Sequence, residues 1–287
     1  MFQEDYIINN KTWINELFSN LTDGYNGSIY FEEKSKLVGK NLNLSIHPIR
    51  FLDDVFFSFE TEDLDLRNRL KKYEVNYNTF YSYANIIKSS CIKSKKVNNI
   101  QTNSILIVGQ TEKDKVIFNG LRYVSLFDYM EDIKRITNCY DNIYFKPHPY
   151  ARNNRKIINK LKKEFKNLNV IYDNIYHVLA NDNIKHVMGL NSSVLYEAKY
   201  FNKKTTFLYG PYFDFDNRDI GIYGDYFSSS FWADILEIED GALELPFSPN
   251  RLRKVVNDFW GYTEVSDEIV IKNIIKNKFK YIFFRFF

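Results

Sequence analysis

The residues best suited to chemistry stand where a short apolar run stops at a cation and a histidine. Ile143-Tyr144-Phe145 is followed directly by Lys146-Pro147-His148-Pro149. Prolines fix φ and push the preceding residue toward extended geometry, so the pattern predicts a strand that ends by presenting His148 rigidly. A lysine and an imidazole at such a position suit an anion such as phosphate. The alternative is a strand-ending turn with an incidental histidine.

A second anion site is predicted at Asn191-Ser192-Ser193, which follows the strand-like run at 186–189 and opens a helix that reaches Tyr200. Serine hydroxyls and free backbone N–H groups point outward together at the positive end of a helix. The alternative is that the serines only cap the helix. Glu197, one turn further, is placed to reach a ribose hydroxyl from the same helix, unless it is an ordinary surface carboxylate.

Two groups of acids are candidates for bond-making chemistry. Asp114 is the last residue of segment 109–114, which follows a predicted strand. Three interpretations of Asp114 are open: a nucleophile, a general base, or an exposed loop acid. Asp53 and Asp54 stand together at a predicted strand end. They are either a catalytic acid or base at a domain cleft, or part of a solvated turn or a helix cap. Asp214 and Asp216 have the spacing of a metal-binding Asp-x-Asp pair, but we expect them to be structural. We therefore predict neither a metal nor a cofactor.

The second half of the chain has the rhythm of a parallel sheet. The aliphatic run Ile105-Leu106-Ile107-Val108 is typical of a strand buried on both faces. Further strands are predicted at 143–145, 170–172, 186–189 and 205–209, with helices at 121–137, 152–165, 175–179 and 193–200. This alternation predicts an α/β protein with a doubly wound sheet, whose ligands bind at the carboxyl ends of the strands.

The chain is predicted to fold as two domains with an additional C-terminal segment. Residues 1–100 contain a predicted helix at 11–21, short strands at 27–31, 43–46 and 50–52, and a largely helical stretch at 63–93. A polar, unpatterned segment follows at 94–103. We therefore predict one α/β domain at 1–100, a second α/β domain at 101–250, and helices at 251–287 that pack back on the first domain.

Composition narrows the classes of partner. With 287 residues, 45% of them hydrophobic, the chain can form sizeable cores. A net charge of +3 is too small to indicate nucleic acid, and the basic helix at 152–166 lacks an aromatic platform. Two cysteines form no disulfide framework, and the acidic N-terminus does not resemble a signal peptide, so we expect a cytoplasmic protein.

The last ten residues, 278–287, interleave cations with aromatic side chains. That composition suits an interface where aromatics lie at the level of lipid headgroups and cations meet anionic lipid. It predicts peripheral contact with the inner face of the cell membrane. The alternative is a closing helix packed on the first domain, and the two are compatible.

The motifs, taken in order, resemble those of a known family. Asp53-Asp54, Gln110-x-x-x-Asp114, Lys146-Pro147-His148-Pro149 and Ser192-Ser193 are similar to the motifs of bacterial retaining β-Kdo glycosyltransferases of capsule and O-antigen assembly, which use CMP-Kdo. The resemblance covers residues 105–213, where Gly109, Ile117, Gly120 and Tyr209-Gly210-Pro211-Tyr212 also follow the pattern. In the first domain it covers residues 52–58, with Val55 where the family has glycine.

The resemblance implies a GT-B-like fold, in which two Rossmann-like domains with parallel sheets face each other across a cleft. Asp114 would be the nucleophile that forms a covalent glycosyl-enzyme, and either Asp53 or Asp54 would deprotonate a saccharide or lipid-linked acceptor. The residues implied to bind the CMP-sugar are Gln110, Lys146, His148, Ser192, Ser193 and, at the ribose, Glu197.

Two other functions remain open from the sequence. Bacterial sialyltransferases and polysialyltransferases share the acidic pair, the His-Pro motif and the paired serines, and they also use CMP-sugars. The Gln110-x-x-x-Asp114 motif favours Kdo as the donor sugar. A non-catalytic protein that binds a nucleotide or a glycan with the same fold is the third hypothesis.

Overall fold

The structure is a computed structural model that describes strands 3–8, 26–31 and 41–47, residues 49 and 51, and residues 56–93, 99–149, 151–215, 217–223 and 228–237. The predicted helix at 11–21, the Asp53-Asp54 pair and the C-terminal segment from residue 238 lie outside the described residues. The chain forms two compact units, divided after Tyr77 and again before Phe213.

The first unit contains a mixed sheet. Its strands are β1 Gln3–Ile8, β2 Asn26–Phe31, β3 Asn41–His47, β4 Phe56–Glu60 and, from later in the chain, β10 Ile220–Tyr223, in the order β1-β2-β3-β4-β10. β1 and β2 are parallel, whereas every other neighbouring pair is antiparallel. The prediction of a parallel sheet here was wrong. Segments 32–40 and 48–55 are too short for the helical crossover that parallel neighbours require.

Two helices belong to the same unit, and one of them packs aromatic side chains against the sheet. Helix α1, Leu64–Lys71, begins at Asp63, whose carboxylate accepts a hydrogen bond from the Leu66 amide at 2.8 Å. Helix α7, Ser229–Leu236, brings Phe231 to Phe59 of β4, with ring centroids 5.9 Å apart. Both phenylalanines are fully buried, so β4 supplies much of the core of this unit.

The segment before β10 is tied to the first unit by hydrogen bonds. The buried Asp219 accepts from the Ser58 hydroxyl at 2.6 Å and from the Asp214 amide at 2.7 Å. The Asp214 carbonyl in turn accepts from the amides of Arg218 and Asp219. Asp214 therefore stabilises a loop, as we expected, while Asp216 lies outside the described residues.

The predicted domain boundaries differ from the observed division. Helix α2, Asn78–Lys93, belongs to the second unit, where Phe80 and Tyr81 each pack against Tyr200 with ring centroids 5.2 Å apart. β10 returns to the first unit although it falls within predicted domain 101–250. The chain thus passes from the first to the second unit at the start of α2, whereas the prediction placed the boundary after this helix, in the polar segment at 94–103.

The second unit contains the predicted parallel sheet. Its strands are β5 Ser104–Val108, β6 Asn142–Lys146, β7 Leu168–Val170, β8 Ile184–Gly189 and β9 Lys204–Phe207. They are ordered β7-β6-β5-β8-β9, and all neighbours are parallel. The chain extends the sheet on one side of β5 and then crosses to the other side at β8. The topological switch point therefore lies between β5 and β8.

Helices cover this sheet with apolar faces. They are α3 Met130–Thr137, α4 Asn154–Glu164, α5 Ile175–Ala180 and α6 Ser193–Tyr200. The helix predicted at 121–137 starts late, because residues 118–123 form a turn and 126–129 a 3-10 helix. None of the described helices combines the length and the apolar composition that a membrane span requires.

A buried histidine lies in the sheet of the second unit. His186 of β8 is 1% exposed, and its two ring nitrogens each lie 2.9 Å from a hydroxyl oxygen, that of Tyr140 and that of Thr206. Burial, with a smaller contribution from Lys204, lowers the pKa of His186 to about 4. The ring is therefore neutral in the folded protein at neutral pH.

We expect acid to destabilise the protein through His186. Because the pKa of His186 is lower in the folded than in the unfolded protein, protonation favours the unfolded state. The free energy of unfolding is therefore unaffected by His186 above about pH 6.5, and it falls by up to about 3 kcal/mol as the pH decreases to about 4. Urea denaturation of the wild type and of His186→Gln across this range measures the effect. Equal pH dependence in both proteins would contradict it.

Candidate functional site

The predicted site residues stand in loops that leave neighbouring strands at one edge of the second sheet. Segment 109–114 follows β5, segment 147–153 follows β6, and segment 190–192 follows β8. β5 is hydrogen-bonded to both β6 and β8. The carboxyl ends of the three strands are therefore adjacent, at the switch point where open α/β sheets bind ligands.

Two glycines allow these strand ends to approach closely. A Cβ on Gly109 would lie 2.8 Å from the His148 backbone nitrogen, and the Gly109 amide donates to the Lys146 carbonyl at 2.9 Å. A Cβ on Gly189 would lie 2.6 Å from a methyl carbon of Val108. Any larger residue would push the loops apart, so the glycines fix the spacing of the three loops.

The loop after β5 holds Asp114 by two hydrogen bonds. The Gln110 side-chain amide donates to Asp114 Oδ2 at 3.0 Å, and the Val116 amide donates to Oδ1 at 3.2 Å. Each carboxylate oxygen keeps a further lone pair for another contact. The side-chain oxygen of Gln110 is buried without a hydrogen-bond partner among the described residues. Gln110 therefore orients Asp114 and has an acceptor left for a ligand.

The loop after β6 is fixed by neighbours in sequence and by the β5 loop. The Asn154 side-chain amide donates to the carbonyls of His148 and Ala151, at 2.8 and 3.1 Å. The Asn153 amide donates to a carboxylate oxygen of Glu112 at 2.7 Å. Half-buried His148 is thus held in a loop with a defined backbone. Lys146 also lies near this edge, and its ammonium donates to the Asp173 carbonyl.

The loop after β8 places both serines at the start of α6. Ser192 is the N-cap residue, with φ −69° and ψ 140°, yet its side chain makes no capping hydrogen bond. Ser192 and Asn191 are buried, at 7% and 6% exposed, and Ser193 is half-buried. The side-chain oxygen of Asn191 has no hydrogen-bond partner within the described part of the chain. This helix end retains polar groups that a phosphate can use.

Glu197 differs from its predicted surroundings. It is 1% exposed in α6, and one carboxylate oxygen accepts a hydrogen bond from the Tyr176 hydroxyl at 3.0 Å. The alternative of an ordinary surface carboxylate is therefore wrong, because the side chain is buried within the second unit. Contact with a ribose stays a prediction.

The structure brings together most of the predicted residues but not the whole set. Gln110 and Asp114 are hydrogen-bonded, and the loops that carry them, His148 and the serines leave adjacent strands. Asp53 and Asp54 lie outside the described residues, so their role stays a prediction. Among 56–93, 99–149, 151–215, 217–223 and 228–237, no cluster of three or more metal-ligating side chains occurs.

Sequence reasoning missed two residues that shape the site, Glu112 and Asn154, and gave Asn191 no role of its own within the predicted anion site. Glu112 and Asn154 act through hydrogen bonds to backbone groups, and their residue types carry no signal of that pairing. Asn191 stands beside the paired serines, and an amide at a strand end was the available signal. Its buried, unpaired oxygen appears only in the structure.

A doubly wound parallel sheet with polar and cationic groups at its switch point is typical of nucleotide-binding α/β proteins. A family model described as alpha-2,8-polysialyltransferase (POLYST) matches residues 52–210, more than half of the chain, and the chain belongs to that family. It is therefore a bacterial CMP-sugar glycosyltransferase related to the sialyltransferases, with a CMP-sugar donor and a saccharide acceptor. The predicted relationship to CMP-sugar-dependent sialyltransferases is confirmed, while Kdo as the donor sugar stays a prediction.

Two solved structures from Thermosulfurimonas dismutans show weaker likeness. The KpsC beta Kdo 2,7 transferase is 14% identical over 96% of this chain and 100% of that chain, with a TM-score of 0.42. The KpsC beta Kdo 2,4 transferase is 14% identical over 70% of this chain and 67% of that chain, with a TM-score of 0.34. Neither score is high enough to assign a function. Comparison with curated proteins gives no match.

We expect Gly109→Ala to disturb both the fold and the site. The new methyl group meets the His148 backbone, so unfolding should become easier by about 1–3 kcal/mol and CMP affinity should fall. Urea denaturation and calorimetric titration with CMP measure the two effects.

Gly120→Ala is the matched control for that substitution. Gly120 has φ 89°, and no atom of the described residues lies within 4 Å of the place where its methyl group would stand. The strained backbone should reduce stability by about 1–2 kcal/mol without changing CMP affinity. Unchanged CMP binding in Gly109→Ala would show that the close approach does not position the His148 loop.

Proposed function

We propose that the protein transfers Kdo from CMP-Kdo to a saccharide or glycolipid acceptor in bacterial surface polysaccharide synthesis, with retention through a covalent Asp114 adduct. The observation that carries the proposal is the pair of hydrogen bonds that orients the Asp114 carboxylate at the carboxyl edge of the sheet. The family match supports a CMP-sugar donor, and the Gln110-x-x-x-Asp114 motif supports Kdo as the sugar.

In the proposed first step, a carboxylate oxygen of Asp114 attacks the anomeric carbon of the sugar. The bond from that carbon to the phosphate oxygen breaks, and its electron pair leaves with CMP. The leaving phosphate needs its charge stabilised more than it needs a proton. The N-terminus of α6, the two serine hydroxyls, His148 and the field of Lys146 supply that stabilisation.

In the second step, an acceptor hydroxyl attacks the same anomeric carbon and breaks the ester to Asp114. Asp53 or Asp54 accepts the proton of that hydroxyl, so the carboxylate of Asp114 is regenerated without a change in protonation. Two inversions at one carbon give net retention. The role proposed for Gln110 is to accept a hydrogen bond from the donor sugar, which its buried side-chain oxygen, unpaired among the described residues, supports.

A second candidate is transfer of sialic acid from CMP-sialic acid, which the polysialyltransferase family match favours. Competition of CMP-Kdo against CMP-sialic acid in a thermal-shift titration distinguishes the two donors. Binding of CMP without transfer to any acceptor would instead support the third hypothesis, a non-catalytic binding protein.

The proposed place of action is the cytoplasm, with contact at the inner face of the membrane through the predicted C-terminal tail. Support comes from the two cysteines, since buried Cys91 and exposed Cys139 are not joined by a disulfide. The tail itself lies outside the described residues. In this proposal the enzyme uses no cofactor, and protein groups stabilise the negative charge of the phosphate.

We expect Asp114→Asn to reduce transfer by at least about a thousandfold while CMP affinity is retained, because only the nucleophile is lost. Release of CMP from CMP-Kdo with acceptor present measures the rate. Mass spectrometry of the wild type with CMP-Kdo alone should show the covalent adduct. Asp132→Asn, at an exposed acid paired with Arg135, is the matched control and should keep full activity. Wild-type turnover in Asp114→Asn would reject the mechanism.

We expect Ser192→Ala and Ser193→Ala to weaken CMP binding by about tenfold each, since hydroxyl bonds to a charged phosphate are lost. Cytidine lacks that phosphate, so its affinity should not change. Calorimetric titration of both ligands separates the two contributions, with Ser82→Ala on α2 as the control variant. If cytidine affinity fell equally, the serines would not be phosphate ligands.

A further inference from the structure

An exposed apolar turn projects from the second unit between the Asp114 loop and α3. Leu121 at its tip is 91% exposed, while Phe118 and Tyr123 at its base are 43% and 42% exposed. The two rings lie against each other, with centroids 5.1 Å apart. We call residues 118–123 the apolar turn. With the two rings at its base, Leu121 forms an exposed apolar patch, and such patches are candidate contact surfaces.

Hydrogen bonds hold the apolar turn in this conformation. The Asn119 amide donates to the Arg122 carbonyl at 3.1 Å. The Asn119 side-chain oxygen accepts from the amides of Leu121 and Arg122, at 3.0 and 2.8 Å. At the base, the Tyr209 hydroxyl donates to the Phe118 carbonyl at 3.2 Å. Leu121 is thus presented outward by an ordered turn.

A dense group of cations lies nearby on α4 and the residues before it. Five cations and two asparagines share one open surface there, and among the described residues no acid lines it. The apolar side of α4 packs inward through the fully buried Leu161. We call the cationic residues the basic face: Arg152, Arg155, Lys156, Lys160 and Lys163.

The apolar turn and the basic face are joined by residues 127 and 128. The Lys160 ammonium lies 4.2 Å from the centroid of the Phe127 ring. The Arg122 guanidinium donates to both carboxylate oxygens of Asp128, at 2.8 and 2.9 Å. Arg122 also lowers the pKa of Asp128 to about 2, so this ion pair persists at neutral pH. The two features therefore belong to one continuous surface.

We infer that the apolar turn and the basic face together bind the surface of a bilayer that contains anionic phospholipid. Leu121 and the two aromatic rings suit the interfacial layer, and the cations suit the headgroup charge. A polyanionic saccharide would use the cations but would gain little from a fully exposed leucine. The apolar tip therefore favours lipid. This contact is separate from that predicted for the C-terminal tail.

The test is sedimentation of the full chain with vesicles of phosphatidylcholine alone or mixed with phosphatidylglycerol. We expect binding only to the anionic vesicles, and release at high salt. Leu121→Asp and the pair Lys156→Glu with Lys163→Glu should each weaken binding by about tenfold or more. The turn is held by Asn119, so Leu121→Asp should fold normally, and circular dichroism checks this.

Matched controls lie on other surfaces. Leu64→Asp replaces a leucine that is 73% exposed in the first unit, and Lys71→Glu with Lys199→Glu reverses two exposed lysines elsewhere. Both controls should bind vesicles as the wild type does. Unchanged binding in Leu121→Asp, or no binding by the wild type, would overturn the inference. The inference would also be overturned if the basic face bound polysialic acid oligomers while neither Leu121→Asp nor the pair Lys156→Glu with Lys163→Glu changed vesicle binding.

Discussion

The site depends on how closely the backbone leaving β5 can approach the backbone leaving β6. At Gly109 there is no room for a side chain, because the His148 nitrogen and the Lys146 carbonyl occupy the space where one would begin. The hydrogen bond from Gly109 to Lys146 extends the pairing of the strands beyond their ends. Because of this hydrogen bond, the backbones of the two loops keep a defined separation just beyond the strands. A carboxylate and an imidazole on different loops can then keep a fixed relation.

The second unit was largely predictable because its strands are short, aliphatic and separated by helices. β5 is buried along its whole length, and its sequence is apolar at every position after Ser104. It therefore lacks the alternation of apolar and polar residues that marks a sheet with one face in water. The first unit was harder. Its sheet mixes one parallel pair with antiparallel neighbours, and β10 comes from a distant part of the chain, so the order of the strands does not follow from local pattern.

The adjacent loops that carry His148, the paired serines and Asp114 were predictable, because each follows a recognisable strand end, while the roles of these residues stay predictions. The site was not predictable where one loop supports another. Glu112 and Asn153 are far apart in sequence, and their hydrogen bond joins a side chain to a backbone amide, which any residue could offer. The burial of Glu197 was also hidden, since its partner Tyr176 lies on another helix and a glutamate in α6 is equally compatible with an exposed position.

The contact between Glu112 and Asn153 also bears on where an anion can settle. Both α4 and α6 begin at this edge of the sheet, and each start offers a positive partial charge. At α4 the carboxylate of Glu112 already accepts from the amide of the N-cap residue, so the chain supplies its own counter-ion there. At α6 the side chain of Ser192 makes no capping bond. With one helix start filled internally and the other uncapped, the start of α6 is the one left open for the phosphate of the proposed donor.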